Sequence, residues 1–173
     1  MTDLLPTDVY LDSGVAIAAT FPATLYAIGA RDLCQRLIQQ GATVYFSQIL
    51  RLEFTEAVRK LATIQGRVPP EVRRQFRLDD WELDVAVRRR WLLFAVDRLE
   101  SLLLRFANVY EIPFERSIWL RSVEIMAERQ LRSHDAIHLA TAYENRLTCV
   151  ATTDDEFLKV PDLDVRLIRD PLT

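Results

Sequence analysis

Short apolar runs rich in β-branched and aromatic residues recur along the chain with helix-patterned stretches between them, and that alternation constrains the fold more than any other feature. The runs fall at residues 9 to 12, 43 to 46, 108 to 112, 148 to 151 and 165 to 168. Parallel neighbours need a crossover connection, usually a helix, so strands spaced in this way imply a largely parallel sheet. The expected architecture is an α/β fold with helices flanking that sheet. At 173 residues, 50% of them apolar, the chain can bury one sizeable core and reads as one domain.

Helices are expected over residues 12 to 19, 24 to 40, 47 to 64 and 114 to 130. Gly41 closes the second in C-cap style, Ser47 can cap the third, and Gly66 with Pro69-Pro70 ends it. On the third helix Leu50, Phe54, Ala57, Leu61 and Ile64 form the apolar sector, and Glu53 lies at its rim as a carboxylate in need of a partner. From residue 71 to 107, Trp81, Val85, Trp91, Leu92, Ala95, Leu99, Leu102, Leu103 and Phe106 recur at helical intervals, as one long helix or two packed as a hairpin. That is more apolar material than one helix face uses, which suggests a dimer or partner surface.

The densest signal is Ser133-His134-Asp135-Ala136-Ile137-His138-Leu139-Ala140-Thr141-Ala142. Ser133 can cap a helix, which puts Asp135 in a first turn where the peptide dipoles favour a negative charge. The fourth apolar run then stops in Thr152-Thr153-Asp154-Asp155-Glu156, and the first stops in Asp12-Ser13-Gly14. Ligands of open α/β sheets bind in the crevice beyond the carboxyl ends of the strands, so two strand ends bearing aspartate point to one site.

Asp12, Glu53, Asp135 and Asp154 are the candidate site residues, as metal ligands and as the catalytic acids. Carboxylates gathered in one crevice are stable when a cation neutralises them, and hard ions such as Mg²⁺ take oxygen ligands. Such an ion lowers the pKa of water and stabilises charge on a phosphoryl oxygen, and phosphodiester hydrolysis is the reaction class that fits. Taken singly, each acid also has a plain structural reading. Asp12 can cap a helix, Glu53 can pair with Lys60, Asp135 can serve the helix dipole and Asp154 can be a turn residue. Their joint placement carries the inference.

The same residues resemble a family, the PIN-domain ribonucleases, and within it the VapC-type toxins of toxin–antitoxin pairs. Leu11-Asp12-Ser13 resembles the opening motif and Leu52-Glu53-Phe54 the glutamate of the following helix. The stretch Asp135 to Ala142 is similar to the most recognisable motif, and Thr152-Thr153-Asp154 through Phe157 resembles the closing one. The resemblance implies a Rossmann-like parallel sheet and an acidic pocket of Asp12, Glu53, Asp135 and Asp154 that binds Mg²⁺ or Mn²⁺, with Thr152 and Ser13 supplying supporting hydroxyls. It further implies endonucleolytic cleavage of RNA, a cognate antitoxin protein and a homodimer. Two departures stand out: Gly14 where the family often has Asn or Ser, and a helical insertion at about residues 65 to 107 within a single PIN-like domain spanning residues 1 to 173.

Two other readings compete. His134-Asp135-Ala136-Ile137-His138 resembles a zinc-protease motif with Asp in place of Glu, with Glu156 as a third ligand, but it leaves Asp12 and Glu53 without a role. A PIN-like module that binds RNA or protein without cutting is the non-enzyme reading. A formal net charge of -3 gives no global basic field, so phosphate contacts would fall to local groups such as Arg51, Arg59, Lys60 and the arginines of residues 73 to 90, which also read as solvated helix faces. Cys34 and Cys149 read as buried reduced thiols, which implies a cytoplasmic setting. No basic leader and no apolar stretch of about 20 residues suggests export or membrane insertion.

Overall fold

The computed structural model describes residues 6 to 64 and 66 to 170. In chain order these form β1 (Asp8–Leu11), α1 (Ser13–Thr20), α2 (Ala27–Gln40), β2 (Thr43–Ser47), α3 (Gln48–Thr63), α4 (Pro70–Phe76), α5 (Val85–Leu103), β3 (Asn108–Ile112), α6 (Arg116–Arg129), α7 (Ser133–Glu144), β4 (Cys149–Thr152) and β5 (Asp164–Leu167). Short 3₁₀ helices fall at Leu78–Asp80 and Asp155–Lys159. The strands make one sheet in the order β3-β2-β1-β4-β5, every pair parallel. This is the Rossmann-like α/β arrangement expected from the alternation of strand and helix.

Side chains alternate across the central strands, which divides the interior into two cores. Val9, Leu11, Val44, Phe46, Cys149 and Ala151 face a core built with Val15, Leu37, Leu50, Phe54, Trp91 and Leu99 from α1, α2, α3 and α5. Tyr10 and Val150 face the other, with Ile118 and Ile125 of α6 and Leu139 of α7. Because the connections after β1 and β2 lie on one face and that after β3 on the other, strand order reverses between β1 and β4. A crevice opens where connections diverge in this way, and the acids lie there.

The long helical stretch is two helices. Arg77, with φ 55°, ends α4 in a left-handed turn, and Asp84 caps α5 by accepting a 2.7 Å hydrogen bond from the Ala86 N–H. Trp91 is 1% exposed, donates from Nε1 to the Val58 carbonyl at 3.0 Å, and packs with Phe76, Phe94 and Phe21 at ring separations of 5.3, 5.7 and 5.8 Å. Val87, Ala95, Leu99, Leu102, Leu103 and Phe106 join the same core, so most of the apolar surplus is spent inside the chain and does not by itself speak for a partner surface. Gln65, the first residue of the expected insertion, lies outside the described residues.

Local expectations were corrected at several positions. Ser133 is the first residue of α7; Arg132 holds the N-cap position, with no side-chain cap. Ser47 does occupy the N-cap of α3, but its buried hydroxyl makes no hydrogen bond. Helix α2 starts at Ala27, because Tyr26 adopts a left-handed conformation with φ 63° just before it. Ile64 falls past the end of α3 and is 48% exposed, outside the apolar sector. Gly41 closes α2 with φ 67°, as its composition predicts. Both cysteines are buried, and burial pushes the thiol of Cys34 up to about 12 and that of Cys149 up to about 11. Among the described residues no helix is long and apolar enough to cross a membrane.

Candidate active site

Asp12 follows β1 directly, and its backbone N–H bonds the carbonyl of Ala151 on β4 at 3.0 Å, which pins it at the point where strand order reverses. It stands at the N-cap of α1 without capping it. Its side chain turns instead into the crevice, where Oδ2 accepts from the Thr152 hydroxyl at 2.8 Å and Oδ1 from the Ser13 hydroxyl at 3.3 Å. The helix-cap reading of Asp12 therefore fails. Thr152 is fully buried at the end of β4, and its oxygen also accepts from the Asp154 N–H at 3.0 Å. One hydroxyl thus links the ends of β1 and β4.

Glu53 comes from α3 and does not pair with Lys60, whose ammonium lies 3.5 Å from Glu56. Its partner is His138 of α7, with Nε2 2.6 Å from Glu53 Oε2 and 3.4 Å from Asp12 Oδ1. Ligand atoms of Asp12, Glu53 and His138 all lie within 4.8 Å of one another. Burial opposes the charge on Glu53, but hydrogen bonding and the positive imidazole of His138 carry its pKa below the ordinary value. Burial likewise disfavours the imidazolium, yet Tyr10, Glu53 and Asp12 together hold His138 well above its usual pKa.

Asp135 sits in the first turn of α7, as the dipole argument requires. Its Oδ2 is buried and accepts no hydrogen bond. Burial first, then the charges of Asp154 and Asp12, push its carboxyl up to about 6. A buried carboxylate oxygen without a donor, facing two other acids, is the chemistry a divalent cation relieves. Asp154 adds its charge to this pocket while its Oδ1 accepts from the Glu156 N–H at 2.9 Å and caps the following 3₁₀ turn. The structure thus brings Asp12 and Glu53 into one ligand group with His138, and places Asp135 and Asp154 within electrostatic reach of it. The carboxylate oxygens of Asp12 and Glu53, with the undonated Oδ2 of Asp135 in electrostatic reach, are the hard donors that could hold a divalent ion.

His138 is what the residue pattern alone did not assign to this cluster. The available signal was its spacing: three residues after Asp135 on a helix it shares that residue's face. Nothing local pointed to Tyr10, which reaches His138 from the strand beneath.

The zinc arrangement is not assembled. His134 is exposed, with Nδ1 3.8 Å from Glu53, while Glu156 bonds the Lys159 ammonium at 2.5 Å and stands outside the ligand group found among the described residues. Most candidate phosphate-binding cations are already engaged. Arg51 bonds Glu100 and Glu111, Arg59 bonds Glu56 at 2.7 Å, Arg73 bonds Asp79 at 2.7 Å, Arg77 bonds Asp80 at 2.5 Å, and Arg88 bonds the Trp81 carbonyl at 2.7 Å.

Residues 9–163 match the family model described as PIN domain. The crystal structure of VapBC2 from Rickettsia felis bound to a DNA fragment from their promoter superposes with a TM-score of 0.60 over 93% of this chain and 98% of that one, at 14% sequence identity. At that identity the likeness establishes a shared fold. No curated relative matches the sequence.

Proposed function

Because this chain belongs to the PIN-domain family, we propose that it is a Mg²⁺- or Mn²⁺-dependent endoribonuclease and the toxin of a toxin–antitoxin pair. The observation that carries the reading is the buried, undonated Oδ2 of Asp135 set against the charges of Asp154 and Asp12, at the end of the sheet where Asp12 and Glu53 also converge. Asp12, Glu53 and Asp135 would hold the ion, and Asp154 would complete the negative pocket. The ion, when bound, supplies Lewis-acid stabilisation of charge developing on a phosphoryl oxygen.

The chain's own residues do the rest. Thr152 and Ser13 fix the two oxygens of Asp12, so that this carboxylate need not reorganise when the substrate arrives. His138 holds Glu53, and the N-terminal turn of α7 carries Asp135 on a rigid element. Arg132, close enough to Asp135 to favour its charged form, stands beside the pocket as a cation for a backbone phosphate, and the exposed His134 adds a ring nitrogen there.

The neighbour is a VapBC2 assembly, and an antitoxin covering the same pocket is the partner this reading assigns to the present chain. A homodimer belongs to the same reading, and the molar mass of the purified protein in solution decides it. The domain reading is one PIN-like unit with α4 and α5 as its helical addition. The test of the whole is cleavage of labelled structured RNA by the purified chain with Mg²⁺, Mn²⁺, Zn²⁺ or chelator. Cut internal products with Mg²⁺ or Mn²⁺, abolished by chelator and by Asp135→Asn, are expected. RNA binding without products under every metal would reject the enzyme in favour of a binding module.

A further inference from the structure

His138 is 1% exposed, yet each of its ring nitrogens has a polar partner, and the partners belong to opposite helical layers of the fold. Nδ1 lies 2.7 Å from the hydroxyl of Tyr10, and Nε2 lies 2.6 Å from Glu53 Oε2. Tyr10 is fully buried on β1 and faces the core of α6 and α7. Glu53 projects from α3, a helix whose apolar residues Leu50 and Phe54 belong to the other core. The imidazole therefore bridges the two layers at the end of the sheet.

The roles within this chain of bonds are fixed by valence. A carboxylate only accepts, so the proton between His138 and Glu53 belongs to Nε2. The Tyr10 hydroxyl donates to Nδ1 when the ring is neutral and accepts from it when the ring is charged, so it anchors the ring in both forms. The tilt of the two rings, 65° between planes at 5.8 Å, leaves the hydroxyl directed at the nitrogen. Tyr10 and Asp12 lie two residues apart, one within β1 and one just past its end, so one stretch of backbone sets a site acid directly and a second one through the imidazole.

We propose that Tyr10 is a positioning residue of the acidic site: it locks His138, and His138 in turn holds the Glu53 carboxylate against Asp12. The claim rests on the reading of Asp12 and Glu53 as ion ligands. Partners that orient ligand side chains in this manner change metal affinity or activity by about 10- to 100-fold when removed.

The test is Mn²⁺ binding by calorimetry alongside RNA cleavage, on wild type, Tyr10→Phe, His138→Gln and His138→Leu, with circular dichroism to check the fold. Tyr10→Phe keeps the ring and removes only the hydroxyl, and its Mn²⁺ dissociation constant is expected to rise about 10-fold or more with the fold intact. His138→Gln retains an N–H for Glu53 and should lose less affinity than His138→Leu, a comparison that tests the His138–Glu53 step through which Tyr10 acts. Lowered thermal stability with unchanged Mn²⁺ affinity in Tyr10→Phe would reduce the hydroxyl to a packing role and overturn the proposal, as would equal losses in the two His138 variants. Wild type that binds Mn²⁺ without cutting RNA would defeat the nuclease reading alone, and a weakened Tyr10→Phe would then still support the positioning role. Wild type that cuts RNA beside an equally tight Tyr10→Phe would defeat the positioning role alone.

Discussion

The hydroxyl of Thr152 donates to Asp12 Oδ2 at 2.8 Å across 140 residues of sequence, and the same oxygen accepts the Asp154 N–H. This one buried group therefore orients an acid of the pocket and shapes the turn that presents another. Thr152→Val preserves the shape and removes both bonds. Leaving a buried donor and acceptor unpaired costs about 1–3 kcal/mol. The expected outcome is a lowered denaturant midpoint together with Mn²⁺ affinity or RNA cleavage reduced about 10-fold or more. Unchanged affinity in the folded variant would remove Thr152 from the site.

Gly14 answers a packing demand from the same loop. A Cβ built there would meet the Thr153 hydroxyl oxygen at 2.2 Å and Asp12 Oδ2 at 3.3 Å, so a side chain at this position displaces the Thr153 side chain before it reaches the pocket. Gly14→Ala is expected to destabilise the protein by about 1–3 kcal/mol through that clash. In a Thr153→Ala background the 2.2 Å clash is gone and the 3.3 Å approach to Asp12 Oδ2 remains, so Gly14→Ala should cost less there than in wild type. Urea denaturation of the four proteins in this cycle measures the coupling, and additive effects would show that the contact is not what selects glycine.

Gly29 is the sterner case. Its added Cβ would lie 2.2 Å from the backbone carbonyl oxygen of Arg169, and its own N–H bonds Asp170 Oδ1 at 2.9 Å. No rotamer change relieves a clash with backbone, so Gly29→Ala should cost more stability than Gly14→Ala, with the segment after β5 displaced from α2. Limited proteolysis near Arg169 and the urea midpoint report that order.

What the sequence could convey of this molecule was what local pattern encodes. Strand-and-helix alternation carried the parallel sheet, and the rule that ligands bind beyond the carboxyl ends of strands pointed to Asp12 and Asp154, while the first turn of a helix pointed to Asp135. Glu53 was harder. Its position at the rim of an apolar sector says that it meets something, and only the packing of α3 against the sheet end decides that this is His138 and not Lys60. Tyr10 was illegible because a tyrosine in a buried strand looks the same whether or not its hydroxyl finds a ring nitrogen. The apolar surplus of residues 71 to 107 misled for a related reason: periodicity counts apolar faces but does not reveal that Phe76, Trp91 and Phe94 close on one another and on Phe21.

Asp135 ties stability to pH with a definite sign. Burial, then Asp154 and Asp12, raise its folded-state pKa to about 6 from the ordinary value of 3.8. Between those values the folded state holds more protons than the unfolded one, so the contribution of this group to stability falls as pH rises through the window and stays lost above it. Because the side chain is only half-buried, solvent screening reduces the effect to on the order of 1 kcal/mol. With chelator present, Asp135→Asn should therefore melt about 2–4 °C above wild type at pH 7.5, with the gap closing toward pH 4. Adding Mn²⁺ should reverse the order at pH 7.5, since an ion that binds only the folded wild type stabilises it by mass action while the variant has lost a ligand. A variant that melts with wild type at every pH, with or without Mn²⁺, would mean that Asp135 neither repels its neighbours nor holds the ion.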